Sequence, residues 1–146
     1  MITKFKIFEV FNTDYDISVV IQLSDEFKCE FTIDGDDYFF HARDENKMFP
    51  EFIRYGWHLT FGIVGPDKYK LTGKGIPFKV LSAVKKCFDM FISEYQPEKI
   101  SFISEGEIKA SVYLKMFTQK SDKIEKRDSG LESYSEYPAI LYMIDK

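Results

Sequence analysis

Two glycines around a lysine, Gly73-Lys74-Gly75, stand between an apolar run and a strongly periodic helix. Glycine lets the backbone approach a ligand closely. A helix N-terminus adds unpaired N–H groups and a partial positive charge, a setting that suits phosphate. A plain strand-to-helix turn explains the same three residues. The other candidates are few. His41 and His58 are the two histidines; each sits among bulky apolar residues and reads as a structural histidine. His58-Leu59-Thr60 has the His-x-Thr form of two-histidine phosphoesterases, but His41-Ala42-Arg43 is not the second copy which that chemistry needs. Glu105 and Glu107 flank a glycine where a strand meets a helix. Glu105 is a candidate general base toward an amine; the plainer reading is a carboxylate facing the positive end of the helix. Asp34, Asp36 and Asp37 lie in a hairpin turn with no EF-hand spacing, and Cys29 and Cys87 form no CxxC pair, so no metal site is expected. The two cysteines read as free buried thiols.

The elements that must position these residues follow from periodicity. Leu81, Val84, Phe88, Phe91 and Tyr95 recur at helical spacing, widened by Pro77, Val80, Cys87 and Ile92, with Lys79, Lys85, Lys86, Asp89 and Glu94 opposite. Pro97 turns Gln96 away from helical angles and ends this helix. Residues 99–104 then alternate like a strand, Glu105-Gly106 turns, and residues 107–118 read as a second helix. Its expected buried face is Ile108, Val112 and Met116, with Tyr113 and Phe117 nearby. The first half reads as strands over 4–11, 16–23, 27–33, 38–42 and 55–64, with Asp34-Gly35 as a strong hairpin signal. Residues 43–54 read as a loop with a short helical turn. Residues 119–136 are charged and serine-rich, a solvated loop or a weak edge hairpin, and 139–144 form a compact final strand that pairs inside the sheet.

The fold class is therefore mixed α/β (α+β): a mostly antiparallel mixed sheet with two main helices in the order β-β-β-β-β-α-β-α-β. One domain over 1–146 is expected. It contains antiparallel strands over 1–64, the strand–Gly-x-Gly–helix–strand–helix unit over 69–118, a mobile charged loop over 119–137 and the final strand. The 146 residues are 45% hydrophobic and 17% aromatic, enough for a real core. A net charge of −4 argues against a broad nucleic-acid surface. No apolar run approaches a membrane span, and the start MITKFKIFEVF lacks the form of a signal peptide. A cytoplasmic protein is expected, with an edge strand near Lys4 or Ala139 available for a homodimer.

From Trp57 to Ile144 this order resembles the core of the GNAT acyltransferase superfamily. There the loop before the helix carries Gln/Arg-x-x-Gly-x-Gly/Ala and holds the coenzyme A pyrophosphate. The matching positions are Lys70, Gly73 and Gly75, with lysine at the first; the resemblance implies that Lys70, Gly73, Lys74 and Gly75 bind acetyl-coenzyme A. The Ala110-Ser111-Val112-Tyr113 stretch is similar to the family's Ala-x-x-Leu-Tyr, which gives Tyr113 the role of protonating the leaving thiolate. The family places two helices between its first two strands to build the acceptor side; residues 11–16 leave no room for them. An enzyme of this kind should also splay its sheet between the strand before Gly73 and the strand from Lys99.

The same segment also resembles a group of small tailed-phage proteins. The shared features are Thr72-Gly73, Pro97-Glu98-Lys99-Ile100-Ser101-Phe102, a basic residue at Lys109 and Val112-Tyr113. That resemblance implies a phage origin, hence the host cytoplasm, and carries over no activity. Two functions follow. One is a phage-type accessory protein that binds a host protein without turnover. The other is an acetyl-coenzyme A-dependent N-acyltransferase of reduced size, with Tyr113 as acid and Glu105 as base. An exposed aromatic patch would signal the first, and an open cleft the second.

Overall fold

The computed structural model describes residues 16–45, 56–64, 78–131 and 137–146. Seven strands and two helices follow in chain order: β1 (Ile17–Gln22), β2 (Glu26–Ile33), β3 (Asp36–Asp44), β4 (Trp57–Ile63), α1 (Phe78–Tyr95), β5 (Lys99–Glu105), α2 (Glu107–Phe117), β6 (Lys123–Asp128) and β7 (Ala139–Asp145). The hydrogen-bonded strand order is β1-β2-β3-β4-β5-β7-β6. The pairs β1–β2, β2–β3, β5–β7 and β6–β7 are antiparallel, and β4–β5 is parallel. This is the mostly antiparallel mixed sheet with two helices that the periodicity implies. The expected first strand over 4–11, the helical turn within 46–54 and the loop over 65–77 lie outside the described residues.

The chain packs as two compact units, Met1–Arg43 with Thr60–Gln96 and Asp44–Leu59 with Pro97–Lys146. In the first unit, Asp34 and Gly35 both take left-handed φ values, 52° and 85°. That two-residue turn matches the right-handed twist of the strands it joins. It sets a register in which Phe27 faces Ala42 and Cys29 faces Phe40. These inward residues are wholly buried, while Glu26, Lys28, His41 and Arg43 alternate to the outer face. Helix α1 meets the inward face through Phe91, whose ring lies 6.1 Å from Phe27 and 6.3 Å from Phe40. Tyr95 packs edge-on to Phe27 and donates a hydrogen bond to the Leu23 carbonyl at 2.6 Å, which ties the helix end to the β1–β2 turn. The buried stripe of α1 is wider than the sequence reading on one side. Ala83 and Met90 are buried, whereas Leu81, Ile92 and Tyr95 are half-buried. Gln96 leaves the helix with φ 44°, and Pro97 follows.

In the second unit, β5 lies between β4 and β7 and is buried on both faces over Ile100-Ser101-Phe102. Phe102 stacks on Tyr142 directly across the β5–β7 ladder at 5.1 Å. The same ring meets Tyr113 and Phe117 of α2 edge-on, at 5.9 and 5.6 Å. Among the described side chains the buried face of α2 is therefore Ala110, Tyr113 and Phe117, not the expected Val112 and Met116. Val112 and Met116 are half-buried, and the Ile108 side chain lies outside the described residues. Aromatic rings carry more apolar area than the aliphatic side chains beside them, so their burial sets the rotation of a short helix. Residues 123–128 form an edge hairpin arm on β7, exposed along nearly its whole length. Ala139 is thus not on an edge: β7 pairs on both sides, with β5 and β6. Neither edge of that strand is open for pairing with a second copy.

Candidate functional site

Tyr113 is the sequence-derived site residue that the fold buries most clearly. It sits on α2 at 9% exposure with its ring against Phe102. Burial pushes its phenol up to about 12, so the side chain holds its proton throughout the neutral range. Glycine at position 106 starts this helix with φ 91°, and no side chain caps it. Glu105 is the last residue of β5, across from Ala139. Strand alternation puts Glu105 on the face opposite Phe102, so the fold does not bring Glu105 and Tyr113 to one face of β5. Lys70, Gly73, Lys74 and Gly75 lie outside the described residues.

The parallel ladder between β4 and β5 consists, among the described residues, of Trp57↔Ile100 and His58↔Ser101. Gly56 opens it, with φ 62° and its backbone against the Lys99 carbonyl. At the second pair, His58 Nδ1 lies 2.9 Å from Ser101 Oγ. Ser101 is wholly buried, and this contact gives its hydroxyl a partner inside the sheet. Ser104, two residues on from Phe102 and on the same face of β5, has a buried Oγ without a hydrogen-bond partner.

His41 is half-exposed rather than packed in the core, one of the two settings expected of a structural histidine. Its Nε2 lies 2.6 Å from Glu26 Oε2 on the outer face of β2–β3, with side chains 21% and 23% exposed. Burial lowers its pKa below the ordinary histidine value; the Glu26 hydrogen bond and charge oppose that shift, and Lys28 and Arg43 add to it. Neither pairing is legible from spacing, because Glu26 and His41 meet only once the hairpin register is set. The acidic turn does structural work: Asp37 accepts from Thr32 Oγ1 at 2.6 Å. No group of three or more metal-capable side chains occurs among the described residues. Cys29 and Cys87 are free and wholly buried, and near enough that Cys29 adds to the upward shift of the Cys87 thiol, a proximity across 58 positions that the sequence alone did not suggest. No described helix is long and apolar enough to cross a membrane.

No family model matches the sequence, and no curated protein matches it. Among solved structures, the chain is similar to two chimeras of the spermidine N-acetyltransferase SpeG from Vibrio cholerae and hSSAT. The first is 11% identical with a TM-score of 0.51, covering 96% of this chain and 73% of that one. The second is 10% identical with a TM-score of 0.51, covering 99% and 76%. At that identity the likeness is one of fold: the chain has a distant GNAT-like acetyltransferase fold.

Proposed function

We propose that the protein is a coenzyme A-dependent N-acyltransferase that moves an acyl group from a thioester to an amine. The observation that carries the reading is the acetyltransferase-like fold, which extends over nearly the whole chain. Two features of the chain support it. Tyr113 lies on the helix where the sequence resemblance puts a thiolate-protonating tyrosine, and burial raises its phenol pKa to about 12. The β4–β5 ladder is short, two pairs between strands of seven residues each, in keeping with the splayed sheet of this fold.

Acetyl-coenzyme A, when bound, would supply an activated thioester carbonyl. The backbone N–H groups of the Lys70–Gly75 stretch would hold its pyrophosphate, with Lys74 adding charge. Tyr113 would hold a proton on its phenol oxygen for the departing sulfur. The unpartnered hydroxyl of Ser104 is a polar group beside that helix which a bound ligand can satisfy.

Host-protein binding without turnover, and a phage origin, rest on sequence resemblance alone. The test is thiol release from acetyl-coenzyme A in the presence of primary amines. Amine-dependent release with an acetylated product supports transfer; thiol release that no amine accelerates overturns it.

A further inference from the structure

Helix α1 lies along β2 in the opposite direction, and contacts at its two ends and its middle fix the alignment. At one end Lys79 Nζ lies 3.9 Å from the Asp34 carboxylate, just past the end of β2. At the other the Tyr95 hydroxyl donates to the Leu23 carbonyl at 2.6 Å, just before β2 begins. Between them the Phe91 ring sits 6.1 Å from Phe27. Cys87 is one helical turn back from Phe91, a step of about 6 Å. Cys29 is two residues on from Phe27 and on the same face of β2, a step of about 6.8 Å in the same direction. The two steps match, so the Cys87 thiol comes down on Cys29.

Both thiols are wholly buried among apolar side chains. Val84 and Phe91 lie one turn away from Cys87 on α1, and Phe40 lies across from Cys29 on β3. Burial, then the nearness of Cys29, pushes the Cys87 thiol well above its usual range, so the reduced pair persists as two free thiols. The chain has two cysteines, so the one disulfide it can close within itself joins these positions. Acyl transfer uses neither sulfur.

We propose that Cys29 and Cys87 are a redox couple whose oxidised form is a disulfide that locks α1 onto β2. The class of oxidant it takes is a hydroperoxide. The thiolate of one cysteine attacks a peroxide oxygen, the O–O bond breaks, and a sulfenic acid and one water result. The second thiolate attacks that sulfur; the S–S bond forms, the S–O bond breaks, and the departing hydroxide takes the proton of the second thiol. Two thiols and one hydrogen peroxide give one disulfide and two waters, and the two electrons lost by sulfur go to the peroxide. Burial sets the rate, because the oxidant reaches the pair only when α1 lifts from β2. The second sulfur is already at hand, so closure outruns further oxidation to the sulfinic acid. The link joins residues 58 positions apart, so it removes many conformations from the unfolded chain.

The experiment treats the folded, reduced chain with hydrogen peroxide in native buffer and removes the excess with catalase. Free thiols are titrated with Ellman's reagent in denaturant, peptides are mapped without reductant, and urea unfolding is followed with and without dithiothreitol. The expected result is a fall from two free thiols to none and a linked peptide joining Cys29 to Cys87. The urea midpoint should rise by about 1–2 M over that of the reduced chain. Dithiothreitol should restore both thiols and return the midpoint, which separates the disulfide from methionine oxidation. Cys87→Ala, treated alike, should show no rise that dithiothreitol reverses; the wild-type measurements stand without it if that variant does not fold. Two thiols that survive treatment, sulfinic acid on separate peptides, or a link only between molecules overturns the couple. A Cys29–Cys87 link that leaves the midpoint unchanged or lower overturns the lock.

Discussion

Gly56 lies against the main-chain carbonyl of Lys99, so closely that a Cβ at position 56 would overlap the Lys99 oxygen and carbon. The contact stands at the mouth of the parallel β4–β5 ladder, one residue before Trp57↔Ile100. Gly56 also has φ 62°, a region costly for any other residue. Gly56→Ala therefore adds left-handed strain to a clash with backbone that cannot swing aside. The expected cost is about 2–4 kcal/mol, read as a lower urea midpoint with unchanged slope. A midpoint equal to that of the wild type would show that the two backbones do not meet.

Tyr113→Phe removes the phenol proton and keeps the ring on Phe102. Because the phenol titrates near 12, the wild type should show no loss of activity from this group below about pH 11. The variant should fold normally, bind acetyl-coenzyme A as before and lose roughly 100-fold in turnover. Unchanged turnover would confine Tyr113 to packing.

Asp122 predicts an acid-side loss of stability. It accepts from Lys146 Nζ at 2.7 Å and from the Gln119 amide at 2.8 Å, while the same ammonium donates to the Phe117 carbonyl at the end of α2. Burial alone would raise the carboxyl pKa; the Lys146 and Gln119 hydrogen bonds and the Lys146 charge outweigh it and hold it below the usual value. The unfolded chain then binds more protons at low pH. The contribution is present above the unfolded value of about 4 and is lost as pH falls through the folded one. In urea titrations, Asp122→Asn should be less stable than wild type at pH 7 and lose less on acidification below about pH 4. Parallel pH dependence in the two proteins would count against this pairing.

Cys29 and Cys87 should be silent toward thiol reagents in the native state. Both are wholly buried, and burial, then the contact with Cys29, pushes the Cys87 thiol well above its usual range. Ellman's reagent at neutral pH should titrate neither thiol in the folded protein and both in denaturant. Rapid native labelling would mean that α1 opens from β2.

Much of the fold is legible in the sequence because its signals are local. Asp34-Gly35 specifies a hairpin by turn chemistry, and the spacing from Val80 to Tyr95 specifies an amphipathic helix. The rotation of α2 is not local. It is decided by Phe102, which meets Tyr113 and Phe117 and is itself stacked on Tyr142 only after β5 and β7 have paired. The site is less legible for the same reason. Glu26 and His41 are fifteen positions apart, and His58 and Ser101 forty-three, so strand register alone makes them partners. Tyr113 is visible as a candidate through its resemblance to a family motif, and the structure contributes its burial against Phe102 and the upward shift of its phenol.

The central claim is that this chain binds an acyl-coenzyme A, and calorimetric titration of acetyl-coenzyme A tests it most directly. The Gly75→Trp variant, which would fill the expected pyrophosphate loop, is the control. Micromolar binding by the wild type, abolished in the variant, is the predicted result. No heat of binding at millimolar ligand would contradict the account.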